Sequence, residues 1–568
     1  MPILDVKLSR IQQLLRKDIT INELEEILFR FGMEIDSFKS IDKNDYMLKI
    51  EITPDRPDML SLWGFVRALR KYIKLENKFD EYNAKDSDFK IYVDTSVSPI
   101  RPYIAATVVK NLKMTENDLE DLIYAQEKLH DTFCRGRKKA SIGLYPFQKI
   151  SWPLRYLAEN PNKIRFKPLG FEKEMNGIEI LKEHPTGQKY GHLISSFEKY
   201  PLFIDASEHV LSLPPIINSE DYGKISPDNK DILIEVTGTH KPSVQLIINI
   251  MSTIIADMGG ELYKVKIVYP DHEEESPYLQ PKKRTLDTEY VWKILGIEIP
   301  PHEIKSLLMK MGLHGQILNQ KKIEVLVPPY RADIWHPIDI VDDIARAYGF
   351  DNFDPELTPV FTTGNLLEKT KFIDHIREIM IGLGFTEVFT FALTNREDQF
   401  TKMRLPVDPQ TVQILAAKEA KINMVRKWLL PEILKTLSFN KDKRYPIKLF
   451  EISDVVVLSM ESDTGAINQT HLAAVSAHKE ADFTEIKSIV EYLIYTLGIS
   501  KYELRRVNHS SFIEGRVAEL IVNNRSIGIF GELHPETILN WGLAVPISAM
   551  ELSLDSLFDW KWAPVEIA

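Results

Sequence analysis

A segment near the N-terminus is repeated in the middle of the chain, and this duplication constrains the fold more than any other feature. The first copy reads ITINELEEILFRFGM over Ile19–Met33, then IEITPDRPDMLSLWGFVRALRKYI from Ile50. The second reads IEIPPHEIKSLLMKMGL over Ile297–Leu313, then IEVLVPPYRADIWHPIDIVDDIARAYGF from Ile323. Aligned on a shared glycine, the apolar helix positions coincide and a Pro-x-Arg-x-Asp motif recurs. We expect one small α+β module used twice.

The two copies differ on the last helix of the module, which is acidic in the second copy. Asp339, Asp342 and Asp343 stand where the first copy has a glycine, an arginine and an alanine. Positions i, i+3 and i+4 share a helix face, so these carboxylates repel one another unless something neutralises them. A hard cation would do so, with Asp333 reaching in from the preceding turn. The alternative is a solvated acidic face in which Asp342 pairs with Arg346.

The composition is that of a multidomain globular protein. A chain of 568 residues has the length of three or four domains, and 44% hydrophobic residues are ordinary for packed cores. The one cysteine, Cys134, excludes an intramolecular disulfide and a cysteine-rich zinc site, which fits a reducing, cytoplasmic setting. Polar residues interrupt the N-terminal segment and the most apolar run, Val244–Ala256, so we expect neither secretion nor a membrane span.

The net charge of −11 argues against a surface that binds nucleic acid everywhere. Any RNA contact must then be local or shared with a partner. Local basic clusters, which we expect to be solvated loops, are Arg135/Arg137/Lys138/Lys139, Lys282/Lys283/Arg284 and Lys441/Lys443/Arg444.

Patterning divides the chain into four blocks. The first repeat module covers residues 1–80, a block of alternating strands and helices covers 81–272, the second repeat module covers 273–361 and a last block covers 362–568. In the second block we predict strands Tyr103–Val109, Pro201–Asp205 and Asp231–Val236 and helix Pro242–Met258. The acidic, proline-flanked segment Pro270–Pro281 is typical of a linker.

The last block has the pattern of an antiparallel sheet flanked by helices. The predicted helices are Phe372–Leu383, Leu429–Phe439 and Asp482–Leu497, and the predicted strands are Val388–Leu393, Ile447–Leu458, Leu472–Ala477, Arg516–Val522, Ser526–Glu532 and Ile547–Leu552. We therefore expect an α+β multidomain protein and not a doubly wound sheet.

Motifs along the whole chain resemble those of one family, the β subunits of phenylalanyl-tRNA synthetase. They are ITPDRPDMLSLWGFVRALR from Ile52, SIGLY from Ser141, HPTGQKYGHLI from His184, PLFID from Pro201, EHVLSLPPIIN from Glu208, IEVTGT from Ile234, PPYRADIWHPIDIVDDIARAYGF from Pro328, LGFTEVFTFALT from Leu383, RKWLLPEILKTLSFNK from Arg426, IKLFEISDVV from Ile447 and SFIEGRVAELIVNNRSIGIFGELHPE from Ser511. The chain resembles the short form of archaea and the eukaryotic cytosol, because it has no room for the extra oligonucleotide-binding and anticodon-binding domains of the bacterial form.

The resemblance implies a role in aminoacylation together with a partner. The family works as an α2β2 heterotetramer that attaches phenylalanine to tRNA-Phe, with ATP bound by the α subunit. The last block is then similar to a class II synthetase catalytic fold that has lost its active site. We expect Arg426 and Glu451 to be structural, because no second nucleotide-binding group accompanies them. The resemblance also places magnesium, in a site shared with the α subunit, at the following residues: Asp333, Asp339, Asp342 and Asp343.

The second block is similar to the family's editing domain, which hydrolyses tRNA-Phe carrying tyrosine by mistake. An apolar pocket built for phenylalanine rejects an added hydroxyl by only about a hundredfold, so a second site is needed. We predict Glu235 and Asn218 as its catalytic pair, Glu235 accepting a hydrogen bond from the tyrosine hydroxyl or orienting water and Asn218 fixing the ester end. The predicted substrate-binding residues are His184, Gln188, Ser212 and Thr237.

Two other kinds of protein would also fit the residues. One is a non-catalytic tRNA-binding scaffold and the other is a free-standing tRNA deacylase. An obligate partner subunit should leave a large exposed apolar patch on the last block, whereas a free-standing hydrolase should not. The histidines show no zinc-ligand spacing, and Cys134 is expected to be an unreactive free thiol.

Overall fold

The computed structural model describes residues 1–42, 45–357, 360–415, 417, 419 and 421–562. The chain forms two compact units, Met1–Leu357 and Thr358–Ala568. No helix in this described part of the chain has both the length and the apolar character that crossing a membrane requires.

The first unit begins with a three-stranded sheet covered by helices. Its elements are β1 Ile3–Lys7, α1 Leu8–Leu15, α2 Ile21–Phe31, β2 Glu34–Asp42, β3 Asp45–Glu51, a 3-10 turn Pro57–Met59 and α3 Leu62–Tyr72. The strand order is β1-β3-β2. Thr20 and Glu23 form a reciprocal capping box at the start of α2, and Gly32, with a φ of 90°, ends the helix in the left-handed conformation that favours glycine.

The middle of the first unit is a ten-stranded sheet with helices on it. Its elements are β4 Lys90–Val93, a 3-10 turn Thr95–Val97, β5 Tyr103–Lys110, α4 Glu116–Asp131, β6 Ala140–Pro146, a 3-10 turn Phe147–Lys149, β7 Leu154–Glu159, α5 Gly177–Glu183, α6 Pro185–Tyr190, a 3-10 turn Gly191–Leu193, β8 Tyr200–Ile204, β9 Val210–Leu213, β10 Ile217–Asn218, β11 Ile232–Gly238, α7 Lys241–Asp257, β12 Glu261–Val268 and β13 Glu273–Ser276. The main path of the sheet is β10-β9-β8-β7-β4-β12-β5-β11-β6. Helix α7 is apolar on most sides and is buried against β5 and β11.

The two ends of this sheet come together. Asn218 on β10 donates to the carbonyl of Leu144 on β6, with 3.2 Å between nitrogen and oxygen. The hydroxyl of Tyr145 on β6 lies 2.8 Å from Oγ of Ser212 on β9. The sheet therefore curls until its terminal strands face each other across a seam, and side chains rather than backbone hydrogen bonds close that seam.

The prediction of a linker over Pro270–Pro281 is wrong for part of that segment. Strand β13 occupies its centre and pairs antiparallel with β12, Val265 opposite Ser276. Three consecutive glutamates lie on this edge strand, and two of them, Glu273 and Glu275, pair with lysines of the neighbouring strand β12. Opposite charges across the two strands stabilise the pairing.

The second repeat module follows and has the topology of the first. Its elements are β14 Lys282–Asp287, α8 Thr288–Leu295, α9 Pro301–Lys310, β15 His314–Asn319, β16 Lys322–Val327, α10 Pro337–Tyr348 and a 3-10 turn Phe350–Asn352. The strand order β14-β16-β15 matches β1-β3-β2. The duplication is confirmed, and it also includes a strand and a helix at the start of each copy that the sequence comparison did not find.

The two modules pack against each other reciprocally. Helix α3 of the first contacts α9 of the second, and α10 of the second contacts α2 of the first. Gly32 faces the guanidinium of Arg346, while Gly312 faces the side chain of Lys71. Lys71 and Arg346 occupy corresponding repeat positions, as do the two glycines, so the pair has approximate two-fold symmetry.

The second unit is a seven-stranded sheet between two helical layers. Its elements are α11 Glu368–Gly382, β17 Thr386–Glu387, β18 Leu393–Thr394, a π-helical turn Glu397–Thr401, β19 Met424–Val425, α12 Leu430–Phe439, β20 Ile447–Leu458, β21 Ala466–Ala477, α13 Phe483–Thr496, β22 Glu503–Arg506, β23 Phe512–Val522, β24 Arg525–Leu533, α14 Pro535–Asn540, β25 Ile547–Ser553 and α15 Leu554–Trp562. The order is β17-β20-β21-β25-β24-β23-β22, antiparallel except for β17 beside β20.

The predicted antiparallel sheet with flanking helices is confirmed, with one local error. The prediction of a strand over Val388–Leu393 is wrong, because only Leu393 and Thr394 pair, with Val425 and Met424. One core packs α11, α13 and α15 on the sheet, and the other packs α12 and α14 on the opposite face.

Candidate functional site

A cavity of about 520 Å³ opens at the seam of the ten-stranded sheet. Its apolar walls come mainly from α4, β6 and the β9–β10 segment, and include Ile123, Ile142, Leu144, Leu213 and Ile217. The polar groups in it are few and come from both sides of the seam, among them Ser212, Asn218 and Glu235. An apolar enclosure with a few convergent polar groups is the usual form of a small-ligand site.

Glu235 is the buried acid of this cavity. It lies in the middle of β11, opposite Gly143 of β6, and is 2% exposed. Its Oε2 accepts a hydrogen bond from the Tyr145 hydroxyl at 2.9 Å, but no described residue forms a hydrogen bond to its buried Oε1. Burial raises the pKa of Glu235 to about 7. A buried carboxylate oxygen without a partner is costly, so its presence beside a cavity indicates a ligand that supplies a donor.

The structure brings together three of the six predicted editing residues. Ser212, Asn218 and Glu235 line the cavity. Thr237 lies two residues further along β11, where its hydroxyl accepts from Arg101 Nε at 3.0 Å instead of facing the cavity. It therefore belongs to the buried support of the site.

His184 and Gln188 lie outside the cavity. The His184 ring caps α6 by accepting from the Thr186 amide, and it contacts the Leu169 carbonyl at 3.1 Å. Gln188 donates to the carbonyl of Lys182 on the surface. Both side chains support the local backbone, and it is Thr186, from the same motif, that lines the cavity.

Arg137 and Glu127 line the cavity but were not singled out as site residues. Arg137 belongs to a run predicted to be a solvated loop, yet it is buried and donates to the carbonyls of Pro215 and Ile216. Its guanidinium also pairs with Glu127 of α4 at 3.0 Å. Arg137 thus links α4 to the segment between β9 and β10, across the seam. A single charged residue of a basic run gives no sequence signal for such a contact.

The four aspartates of the second module do not converge on one point. Asp333 and Asp343 both bind the buried guanidinium of Arg331, at 2.6 and 2.7 Å. Burial raises the pKa of Asp343, whereas for Asp333 the attraction of Arg331 outweighs burial and the pKa is lowered. The guanidinium of Arg331 therefore supplies the positive charge that we expected a cation to provide for these two carboxylates.

The other two carboxylates also have partners within the chain. Asp339 accepts from the backbone amides of Trp335 and His336 and so caps α10, while Asp342 pairs with Arg346 at 2.9 Å as the solvated-face alternative predicts. All four aspartates line one open cavity of about 480 Å³. Among the described residues, no group of three or more His, Cys, Asp or Glu side chains is arranged to hold a metal ion. The donor set does not fit a magnesium ion bound by all four.

Other groups that sequence analysis considered are structural or inert. Burial raises the pKa of the Cys134 thiol to about 12, which keeps it protonated and unreactive. Arg426 and Glu451 form a buried pair at 2.9 Å. The Thr390 hydroxyl is hydrogen-bonded to both side chains, so the polar groups of this pair are satisfied within the protein.

Three family models match the two repeat modules and the second unit. Residues 1–74 match the Phe-tRNA synthetase beta subunit B1 domain, 284–350 the tRNA synthetase B5 domain, and 355–554 the phenylalanyl tRNA synthetase beta chain CLM domain. The two repeat modules therefore match two different family models.

Relatives cover nearly the whole chain. The phenylalanine–tRNA ligase beta subunit of Thermococcus sibiricus is 35% identical over 554 residues, which are 98% of each chain. That of Pyrococcus furiosus is 36% identical over 98% of this chain and all of its own. The crystal structure of an N-terminal fragment of the Pyrococcus horikoshii phenylalanyl-tRNA synthetase beta subunit matches 61% of this chain and 99% of the fragment, with a TM-score of 0.59 and 36% identity. The chain belongs to the family of β subunits of phenylalanine–tRNA ligase, an aminoacyl-tRNA synthetase.

Proposed function

We propose that this subunit acts with an α subunit in the ATP-dependent attachment of phenylalanine to tRNA-Phe, and that its seam cavity hydrolyses tRNA-Phe mischarged with tyrosine. The observation that carries the editing proposal is the unpartnered Oε1 of Glu235 beside an apolar cavity. The reaction would add water to the ester and release tyrosine and a tRNA with a free terminal hydroxyl.

The cavity supplies a physical basis for choosing tyrosine over phenylalanine. A tyrosine side chain would lay its ring against the apolar walls and donate its phenolic proton to Glu235. A phenylalanine side chain would bury the same carboxylate without a donor, at a cost of about 1–3 kcal/mol. Such a site rejects the correct product by leaving its own polar group unpaired. We assign Asn218, on the opposite side of the seam, to the ester end of the substrate.

The test is the decay of preformed Tyr-tRNA-Phe with the purified complex. Glu235→Gln keeps the side-chain volume but removes the charge, and deacylation should slow by about ten- to a thousandfold. Charging with phenylalanine should not change. Gln188→Ala, outside the cavity, is the control and should edit normally. No hydrolysis by the wild type would favour the scaffold function, and equal rates for wild type and Glu235→Gln would remove Glu235 from the site.

Exposed apolar side chains of the second unit support a protein partner. Phe389, Phe391 and Leu393 recur at every second residue, and the two phenylalanines are more than 80% exposed. We propose that this segment contributes to the interface with the α subunit in an α2β2 heterotetramer, which favours an obligate subunit over a free-standing deacylase.

We propose the remaining assignments on the family resemblance. The second unit is a class II catalytic fold without its active site, ATP binds to the α subunit, and the enzyme is cytoplasmic. The blocks 1–80, 81–272, 273–361 and 362–568 are its domains, although β13 extends the sheet of the second block beyond its C-terminal boundary. Magnesium binds in the assembled enzyme, where groups of the partner would lie beside Asp339 and Asp342.

A further inference from the structure

The hydroxyl of Tyr145 lies at the centre of a buried chain of polar groups behind the cavity. The side chain is fully buried, and its oxygen lies 2.8 Å from Ser212 Oγ and 2.9 Å from Glu235 Oε2. These groups come from β6, β9 and β11, so the chain crosses the seam of the sheet. Since a phenol has one proton, Tyr145 can donate to only one of its two neighbours, and a carboxylate is the stronger acceptor.

The backbone next to this contact is built to leave room for it. Gly143 lies directly opposite Glu235, and Tyr145 is the next residue of β6 on the same face. A Cβ placed on Gly143 would lie 2.3 Å from the Tyr145 oxygen and 2.5 Å from Glu235 Oε2. Any side chain at position 143 would therefore separate the two groups. Glycine here is required by the contact and not by a turn.

We propose that Tyr145 is a positioning residue that binds Oε2 of Glu235, keeps Oε1 free for the phenol of the substrate and so sets the preference of the cavity for tyrosine. This inference rests on the proposed editing function. A carboxylate has two equivalent oxygens on a freely turning bond, and engaging one of them fixes the direction of the other. Without Tyr145 the carboxylate would lose the donor that fixes the direction of its Oε2.

The same contact affects the charge of Glu235. The titratable and charged groups that face it are Tyr145 on β6, Tyr156 on β7 and Arg101 before β5. A hydrogen bond donated to the ionised carboxylate stabilises that form and lowers its pKa. Removing the hydroxyl should therefore raise the pKa of Glu235, so that a higher pH is needed to produce the ionised acceptor.

The experiment uses the full α–β complex and preformed Tyr-tRNA-Phe over a range of pH. With Tyr145→Phe we expect deacylation to fall about 10- to 100-fold at neutral pH, as for the loss of one hydrogen bond to a charged group. Activity should recover at higher pH, because the acid limb of the profile moves upward. Tyr269→Phe is the matched control. It removes a hydroxyl bonded to the backbone of Ile104, away from the cavity, and should leave the profile unchanged.

Gly143→Ala supplies an independent variant that keeps the phenol but separates it from the carboxylate, and it should reproduce the shifted profile if Tyr145→Phe does not fold. A Tyr145→Phe or Gly143→Ala complex that edits as the wild type does would overturn the inference. So would slower editing with an unshifted pH profile, which indicates only a packing role. Failure of the proposed function itself is distinguishable, because the wild type would then not hydrolyse Tyr-tRNA-Phe at all.

Discussion

The two copies of the repeat module share one topology but differ in what covers the outer face of their last helix. In the first copy Arg67 of α3 is buried, with its guanidinium 3.7 Å from the centroid of the Tyr330 ring and bonded to Asp257 of α7. In the second copy the corresponding residue is Asp342 of α10, whose side chain is 52% exposed. Trp335, which precedes that helix, is 82% exposed. One face is closed by the sheet domain and the other is open.

This difference explains why acids accumulate in only one copy. On the covered face a carboxylate at position 67 would be buried beside Asp257, with no cation to neutralise either group. On the open face water solvates Asp342, and the one deeply buried acid, Asp343, uses Arg331 of a motif that both copies possess. The module tolerates charge according to its surroundings, and an exposed acidic face beside an exposed tryptophan is what a partner surface would present.

The largest expected effect comes from the shared arginine of the motif. Arg56 pairs with one buried carboxylate, Asp58, whereas Arg331 pairs with both Asp333 and Asp343. Removing one partner of a buried ion pair costs about 3–5 kcal/mol. Arg331→Met leaves two carboxylates without their guanidinium and Arg56→Met leaves one, so Arg331→Met should lower the free energy of unfolding more. Urea unfolding of each variant measures this difference.

The pH dependence of the stability lost in Arg331→Met tests whether unpaired carboxylates cause that loss. Without the guanidinium the two carboxylates would have pKa values above those of the unfolded chain, so the loss is present at neutral pH and shrinks as the pH falls and they become protonated. Equal losses for Arg56→Met and Arg331→Met, independent of pH, would contradict the view that the second copy holds an additional buried acid.

An intermediate loss of stability is expected at the repeat position that holds Arg67 in the first copy and Asp342 in the second. Arg67→Met keeps the apolar stem but removes the cationic partner of Asp257, which retains the hydrogen bond from Tyr82. We expect a loss of about 2–3 kcal/mol. Asp342→Ala should change stability by about 0.5 kcal/mol or less, as surface ion pairs do. Comparable losses from both substitutions would mean that the second face is not open in solution.

Much of the fold could be predicted because its signals are local. Helical periodicity, capping residues and strand patterns gave the elements, and the repeat gave the duplicated module. The seam could not be predicted. It depends on contacts between strands far apart in sequence, such as Tyr145 with Ser212. His184 and Gln188 belong to a motif near the cavity, yet the helix start there turns Thr186 inward instead.

The acidic cluster shows the same limit in another form. The sequence correctly indicated that four carboxylates share a region, and all four line one cavity. It could not show that Arg331, two residues before Asp333, folds back to bind Asp333 and also reaches Asp343 twelve residues further along. The counter-ion, Arg331, belongs to the Pro-x-Arg-x-Asp motif itself, and the geometry of the turn decides which carboxylates it binds.

The smallest effect tests the approximate symmetry of the module pair. Gly32 and Gly312 have φ values of 90° and 79°, so alanine at either position should cost about 1–2 kcal/mol from the backbone alone. A Cβ at position 32 would lie 3.2 Å from Arg346, and one at 312 would lie 3.5 Å from Lys71. The Arg346 side chain is long and partly exposed, so it can move away at little cost. Gly32→Ala and Gly312→Ala should therefore lower the free energy of unfolding equally, within about 0.5 kcal/mol. A much larger loss for Gly32→Ala would show that Arg346 is held rigidly, and that the two halves of the interface are not equivalent.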